Sequence, residues 1–184
     1  MSHYFIAIHV PEELQALFSD WQHGLKEQFP YKQWPHNQDL HITLKFLGDV
    51  ADNKVEQLKQ ELQKVQDLQA FDLDVGGIGT FGNPNKPRVL WAGVERTDRL
   101  VKLQQIVEDC ALKIGYQKEE REYRPHITLA KMWAGKSSLS EETLPSLQKQ
   151  FKDKQTMHVA DIVLFRIHPT KSPKYEVVER YMLK

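Results

Sequence analysis

Tyr4 to Val10 is a short apolar run closed by Pro11, the pattern of a buried strand. Pro11 suits a helix start, and Glu12 and Glu13 suit the positive end of the helix dipole. Leu14, Leu17, Phe18, Trp21 and Leu25 follow at helical spacing and predict an amphipathic helix to about Phe29. The two prolines between Pro30 and Asn37 predict a loop. From Leu40 to Leu47, His41, Thr43 and Lys45 alternate with Ile42, Leu44 and Phe46, the period of a half-buried strand. On that parity Phe46 belongs to the core with Ile42. Val55, Leu58, Leu62 and Val65 mark a second helix. Phe71, Leu73 and Val75 mark a strand, with a turn expected at Gly76, Gly77 and Gly79. No Lys-Ser/Thr follows these glycines, so they do not make a phosphate-cradling P-loop.

Thr80 to Pro87 (TFGNPNKP) is the best candidate linker. Arg88 to Val94 then reads as a strand. Leu100, Leu103, Val107, Cys110 and Ile114 form a helical stripe in which Cys110 is a small core residue. Tyr123 to Lys131 holds a second alternating strand, and Ser140 to Phe151 a helix with Pro145 early in it. Val159 to Ile167 and Tyr175 to Leu183 are the closing strands.

The elements repeat at a constant offset of 85 residues. Phe5 maps to Leu90, Leu17 to Lys102, Leu58 to Thr143 and Val75 to Ala160. His41-Ile42-Thr43-Leu44 maps identity for identity onto His126-Ile127-Thr128-Leu129. This predicts a single domain over 1–184, built from copies at about 4–81 and 89–168 with a closing strand at 174–183. The fold class is α/β (α+β): two antiparallel-sheet lobes related by a pseudo-twofold axis, with outer helices, flanking a central cleft.

Composition narrows the function. With 25 Lys+Arg against 25 Asp+Glu the net charge is zero, which argues against broad coating of nucleic acid or an acidic membrane. One cysteine excludes an intramolecular disulfide framework and a multi-cysteine zinc site. The N-terminus has no signal-peptide pattern, and no segment approaches the ~20 apolar residues of a membrane span. A cytoplasmic monomer with no membrane partner is expected.

In each HITL the first and third side chains share one strand face. His41 and Thr43 point one way, Ile42 and Leu44 the other, and the second copy does the same. Lobes facing across a pseudo-twofold put two imidazoles and two hydroxyls in one cleft. A neutral and a protonated imidazole can run acid–base chemistry near neutral pH, and the hydroxyls can donate to anionic oxygens. The set suits in-line attack on a phosphodiester with no metal or other cofactor. A metal site is the weaker reading, since there is no HExxH helix and no carboxylate fixed beside either histidine.

The two H-x-T-x motifs, HITLKFLGDV, RVLWAGV and RPHITLAK resemble the 2H phosphoesterase superfamily over essentially the whole chain. The softer flanking residues are most similar to its RNA 2′,3′-cyclic phosphodiesterases, also described as 2′-5′ RNA ligases. The resemblance implies His41 as the proton donor to the 3′-oxygen, His126 as the base that activates water, and Thr43 and Thr128 as phosphate ligands. It implies a 2′-phosphomonoester product from RNA ends or small nucleotides that carry the cyclic phosphate. Ligation of a 5′-hydroxyl to the cyclic end is the reverse chemistry. A non-catalytic module that holds RNA ends is the reading from another class, and intact HxT pairs argue against it.

Members often carry Arg five residues after the second histidine, where this chain has Lys131. Lysine keeps the charge but loses the bidentate fork. A strict strand turns Lys131 away from the His126 face, so it needs a strand end or bulge to reach the site. Arg124 shares parity with His126 and is a second candidate cation. Phe81, in the glycine-rich loop, is the candidate for stacking a base. His3, His9, His23, His36, His158 and His168 have no matched partner and read as surface or packing residues. Lys118 to Arg124 (KEEREYR) reads as a solvated strand entry.

Overall fold

The computed structural model describes residues 2–184. The first apolar run is strand β1 (Ser2–His9), buried on both faces through its centre. Helix α1 (Glu12–Lys26) starts directly after Pro11. It ends before Phe29, because the residue preceding Pro30 is driven out of the helical region. The expected loop at 30–37 contains a short strand, β2 (Tyr31–Gln33), followed by a 3₁₀ turn at Asn37–Asp39.

Strand β3 (His41–Val50) carries the first HITL. Helix α2 (Asp52–Glu61) runs on as a 3₁₀ segment, Leu62–Asp67. Strand β4 (Phe71–Phe81) does not stop at its glycines, which corrects the expected turn. Gly76 and Gly77 have φ of 137° and 68° and make a bulge between Val75 and Ile78 within the strand. Gly79 lets the Trp91 ring lie against the backbone, since a Cβ there would sit 2.2 Å from a ring carbon.

Strand β5 (Val89–Val94) pairs antiparallel with β4, so residues 82–88 are a hairpin loop and not a linker between bodies. The loop is closed by the Arg88 N–H donating to Phe81 O at 3.0 Å. Helix α3 (Asp98–Lys113) is capped by the Thr97 hydroxyl, which accepts from the Leu100 N–H. Strand β6 (His126–Trp133) carries the second HITL and begins only after Pro125, which has no N–H for a ladder. Helix α4 (Thr143–Gln150) is shorter than expected and has Pro145 in its first turn. The predicted strand at 159–167 is β8 (Asp161–Ile167), preceded across Ala160 by β7 (Lys154–Val159). The closing strand is β9 (Tyr175–Met182).

All strands join one curled antiparallel sheet in the order β7-β4-β5-β6-β3-β1-β8-β9, with β2 on β6. The repeat is visible in its registers. Ile42 on β3 pairs with its own counterpart, Ile127 on β6. At the β4–β7 ladder Phe71 pairs with Val159 and Asp74 with Thr156. The 85-residue offset exchanges these two pairings. Both junctions therefore sit on the pseudo-twofold axis.

The halves are interlaced rather than side by side. Helix α1 packs on the second copy: the Gln22 amide donates to Leu129 O at 3.0 Å, and the rings of Trp21 and Phe151 are 5.5 Å apart. Helix α3 packs on the first: Lys45 of β3 reaches Glu108 at 3.1 Å, and the buried Cys110 thiol donates to Glu61 O. One continuous apolar core results, including Phe18, Leu25, Leu58, Leu90, Leu103 and Ile127, all fully buried. Each such side chain contributes roughly 1.5–3 kcal/mol of apolar burial.

Candidate active site

The β3–β6 junction brings the two motifs together. Ile42, Leu44, Ile127 and Leu129 go into the core, which leaves His41, Thr43, His126 and Thr128 on the opposite, partly exposed face. The backbone two residues upstream orients each imidazole. His41 Nδ1 lies 2.7 Å from Asp39 O, and His126 Nδ1 lies 2.8 Å from Arg124 O. A carbonyl only accepts, so each Nδ1 donates, and Nε2 of a neutral ring is left as an acceptor on the open face. His41 Nε2 is 3.0 Å from the Thr43 hydroxyl.

Desolvation favours the neutral form of both rings. It pulls His41 down to about 4, with the charges of His126, His9 and Lys131 adding to the effect against the Asp39 carbonyl. It also lowers His126, helped by the Arg124 and Arg88 guanidiniums. An anion entering the site reverses this pressure, because it favours imidazolium.

The two copies differ around their histidines. His41 sits among the rings of Phe5, Tyr175 and Phe165, at 4.8, 5.4 and 6.5 Å. The His126 and Phe81 rings meet nearly at right angles, with centroids 4.9 Å apart. The Arg124 guanidinium lies over the Phe81 ring at 4.4 Å, so one face of Phe81 is already covered by a cation. Arg124 and Asp39 occupy equivalent positions of the repeat.

A pair of bulges sets the facing of the residues just beyond each motif. The β1–β3 register shifts opposite Thr43 to Lys45, and the β5–β6 register shifts opposite Thr128 to Ala130. Leu44 and Lys45 are both buried, as are Leu129 and Ala130, and strand parity is reversed beyond them. Phe46 and Lys131, equivalents in the repeat, consequently return to the histidine face. Phe46 is 60% exposed, which corrects its expected core role. Lys131 gains the bulge that it needed.

Lys45 is a buried cation that period-2 reading had put on the cleft face. It donates to Glu108 Oε2 and to Gln117 O, and Glu108 also accepts from the Glu119 N–H. The pair anchors the irregular segment at 114–125; KEEREYR is the solvated entry to β6 that was expected, exposed at every residue but half-buried Tyr123, and it also walls the cleft. Tyr123 on this wall donates its hydroxyl to Thr43 O at 2.8 Å. Between wall and sheet lies a cavity of about 540 Å³ lined by Thr43, Phe46, Phe81, Arg88, Tyr123 and His126.

Sequence reading missed Tyr175 against His41, because β9 lies outside the repeat. It also missed that His9 is the cross-strand partner of His41 and shares its face. His9 Nε2 donates to Gln38 O at 2.6 Å. His3, His158 and His168 lie at 2.9, 2.6 and 3.1 Å from the carboxylates of Asp49, Asp72 and Glu176 at exposed or rim positions. Among the described residues, no group of three or more His, Cys, Asp or Glu is placed to hold a metal ion. No described helix is long and apolar enough to cross a membrane.

The sequence model of the LigT-like phosphoesterase family matches twice, over residues 8–91 and 93–175. A Bacillus subtilis protein named RNA 2′,3′-cyclic phosphodiesterase is 32% identical over 98% of this chain and 96% of its own length. A Geobacillus stearothermophilus protein of the same name is 36% identical over 99% of this chain, which spans 57% of that protein. Among solved structures, the fold is similar to E. coli LigT complexed with 3′-AMP. That match has a TM-score of 0.78 at 21% identity and covers 100% of this chain and 98% of the other.

Proposed function

The chain belongs to the LigT-like phosphoesterase family, and on that premise we propose that it hydrolyses the 2′,3′-cyclic phosphodiester of RNA ends or nucleotides to a 2′-phosphomonoester. The observation that carries this reading is the matched pair of imidazoles, each held through Nδ1 by the carbonyl two residues upstream, with a threonine on the same face. The names of the full-length relatives support the substrate class.

The proposed cycle uses this chain's own groups. Neutral His126 takes a proton from water through Nε2 as the water oxygen attacks phosphorus. Protonated His41 gives its Nε2 proton to the 3′-oxygen as the P–O3′ bond breaks. Thr43 and Thr128 donate to the nonbridging oxygens, and Lys131 adds charge there. The phosphate's own negative charge supplies the pressure that protonates His41, whose pKa is otherwise low. Arg124 covers one face of Phe81, so Phe46 offers the free aromatic surface on which a base stacks. The two imidazoles supply both proton transfers, so the cycle requires no metal.

Incubation with a 2′,3′-cyclic nucleotide after treatment with chelator tests this directly. A 2′-phosphomonoester at an undiminished rate is the expected outcome. A 3′-phosphate would overturn the leaving-group assignment, and activity restored only by a divalent ion would overturn the metal-independent cycle.

A further inference from the structure

The two motif histidines are equivalent in the repeat, yet only one is braced from outside it. The carbonyl that holds His41 belongs to Asp39, and the carbonyl that holds His126 belongs to Arg124. Asp39 ends the 3₁₀ turn Asn37–Asp39, and its N–H donates to His36 O at 2.8 Å. The carbonyl before it, Gln38 O, accepts from His9 Nε2 at 2.6 Å.

Asp39 is buried. Its Oδ2 accepts the Lys174 N–H at 2.8 Å, and its Oδ1 accepts the Tyr175 N–H at 3.2 Å. Among the described residues no cation pairs with this carboxylate. Burying a carboxylate is costly unless its oxygens are bonded, so the two N–H groups and the carboxylate hold each other in place. The turn between β8 and β9 is thereby fixed to the segment that enters β3.

The consequence falls on His41. Strands β1 and β8 separate β9 from β3 in the sheet. Tyr175, at the tethered start of β9, nevertheless reaches the His41 ring, with centroids 5.4 Å apart and planes at 80°. It also packs on Phe5 at 4.8 Å, the ring that touches His41 from β1. Asp39 thus acts on one imidazole twice: its main chain accepts from Nδ1, and its side chain fixes a ring that packs against it. In the other copy Arg124 is exposed, and its guanidinium lies over Phe81.

We propose that the Asp39 carboxylate is the positioning residue of His41, holding the tautomer and ring plane that set Nε2 beside the Thr43 hydroxyl. Asp39 is buried and acts only through His41. This inference rests on the cyclic phosphodiesterase reading and deepens it, because it makes two histidines that the repeat renders equivalent unequal.

Asp39→Asn keeps the size and one accepting oxygen, but it sets an NH2 group against one of the two N–H groups. Long-range proton–nitrogen NMR spectra of the imidazoles at neutral pH read the tautomer of each ring. In the wild type both rings are expected in the Nδ1–H form. In Asp39→Asn the His41 ring is expected to move towards the Nε2–H form, while His126, the internal reference, stays. Equal movement of both rings would show a general loosening and overturn the positioning role, as would an unmoved His41. On a 2′,3′-cyclic nucleotide, kcat is expected to fall about tenfold or more with KM nearly kept, since a misplaced acid serves the transition state and not binding. An unchanged kcat, or a rise in KM alone, would overturn it.

Amide exchange in the wild type keeps the proposal testable should the variant not fold. Slow exchange at the Lys174 and Tyr175 amides is expected, and free exchange would overturn the tether. The spectra need no substrate. If no cyclic nucleotide is hydrolysed, the parent activity fails while the tautomer result stands or falls separately.

Discussion

Ile42 and Ile127 pair across the junction of β3 and β6, each the other's counterpart in the repeat. The residues on either side of this pair are His41 and Thr43 on one strand and His126 and Thr128 on the other. A strand alternates its side chains, so burying the two isoleucines turns all four polar groups to one face. The geometry of the candidate site derives from this one pairing.

His41→Ala and His126→Ala are each expected to lower cyclic phosphate hydrolysis by about 10²-fold or more, the low end for loss of an acid or base. Both rings sit on the open face, so the variants should fold. Steady-state kinetics beside circular dichroism check this. Near-normal turnover in either folded variant would remove the two-histidine mechanism.

The pH profile should be displaced towards acid for the free protein. His41 is held near 4 and His126 below the usual 6.5. Both shifts are downward, so kcat/KM should peak on the acid side of 6.5. The bound phosphate favours imidazolium, so kcat should peak at higher pH. Coincident optima would contradict the proposed role of substrate charge.

The same shifts carry a stability consequence. Below 6.5 the unfolded chain protonates these histidines while the fold keeps them neutral. Their contribution is present above 6.5 and is lost as pH falls towards 4. Urea unfolding between pH 7 and 4 should show a smaller loss in His41→Ala than in the wild type.

Phe46→Ala should raise KM several-fold with kcat nearly kept, since stacking on an aromatic ring contributes about 1–3 kcal/mol per base. The ring is 60% exposed, so stability should move by no more than about 0.5 kcal/mol. Phe46→Tyr should restore KM. A large loss of stability would show that the ring packs instead.

Glu108→Ala should destabilise the protein by about 3–5 kcal/mol, because it leaves Lys45 buried without its partner. It should also loosen the wall at 114–125 and raise KM. The double variant Lys45→Met with Glu108→Leu should recover most of the stability but not the wall, which loses its hydrogen bond from the Glu119 N–H. Chemical denaturation and KM separate the two effects.

The sequence alone determined the duplicated unit, the strands carrying HITL and the face that each histidine takes. These are local matters: a period of two sets a side chain's face, and a repeated identity sets equivalence. Cys110 in its helical stripe was legible for the same reason. Phe46, Lys45 and Lys131 were not, because their facing depends on bulges set by the neighbouring strand. The glycines of β4 read as a turn because a bulge and a turn use the same backbone freedom. Only the tertiary structure decided that α1 and α3 pack on each other's half, that Tyr175 from outside the repeat lies against His41 with its N–H donating to the Asp39 carboxylate, and that Arg124 lies on Phe81. Those relations join residues far apart in the chain, and they come from how a curled sheet closes around one core, which no local period records.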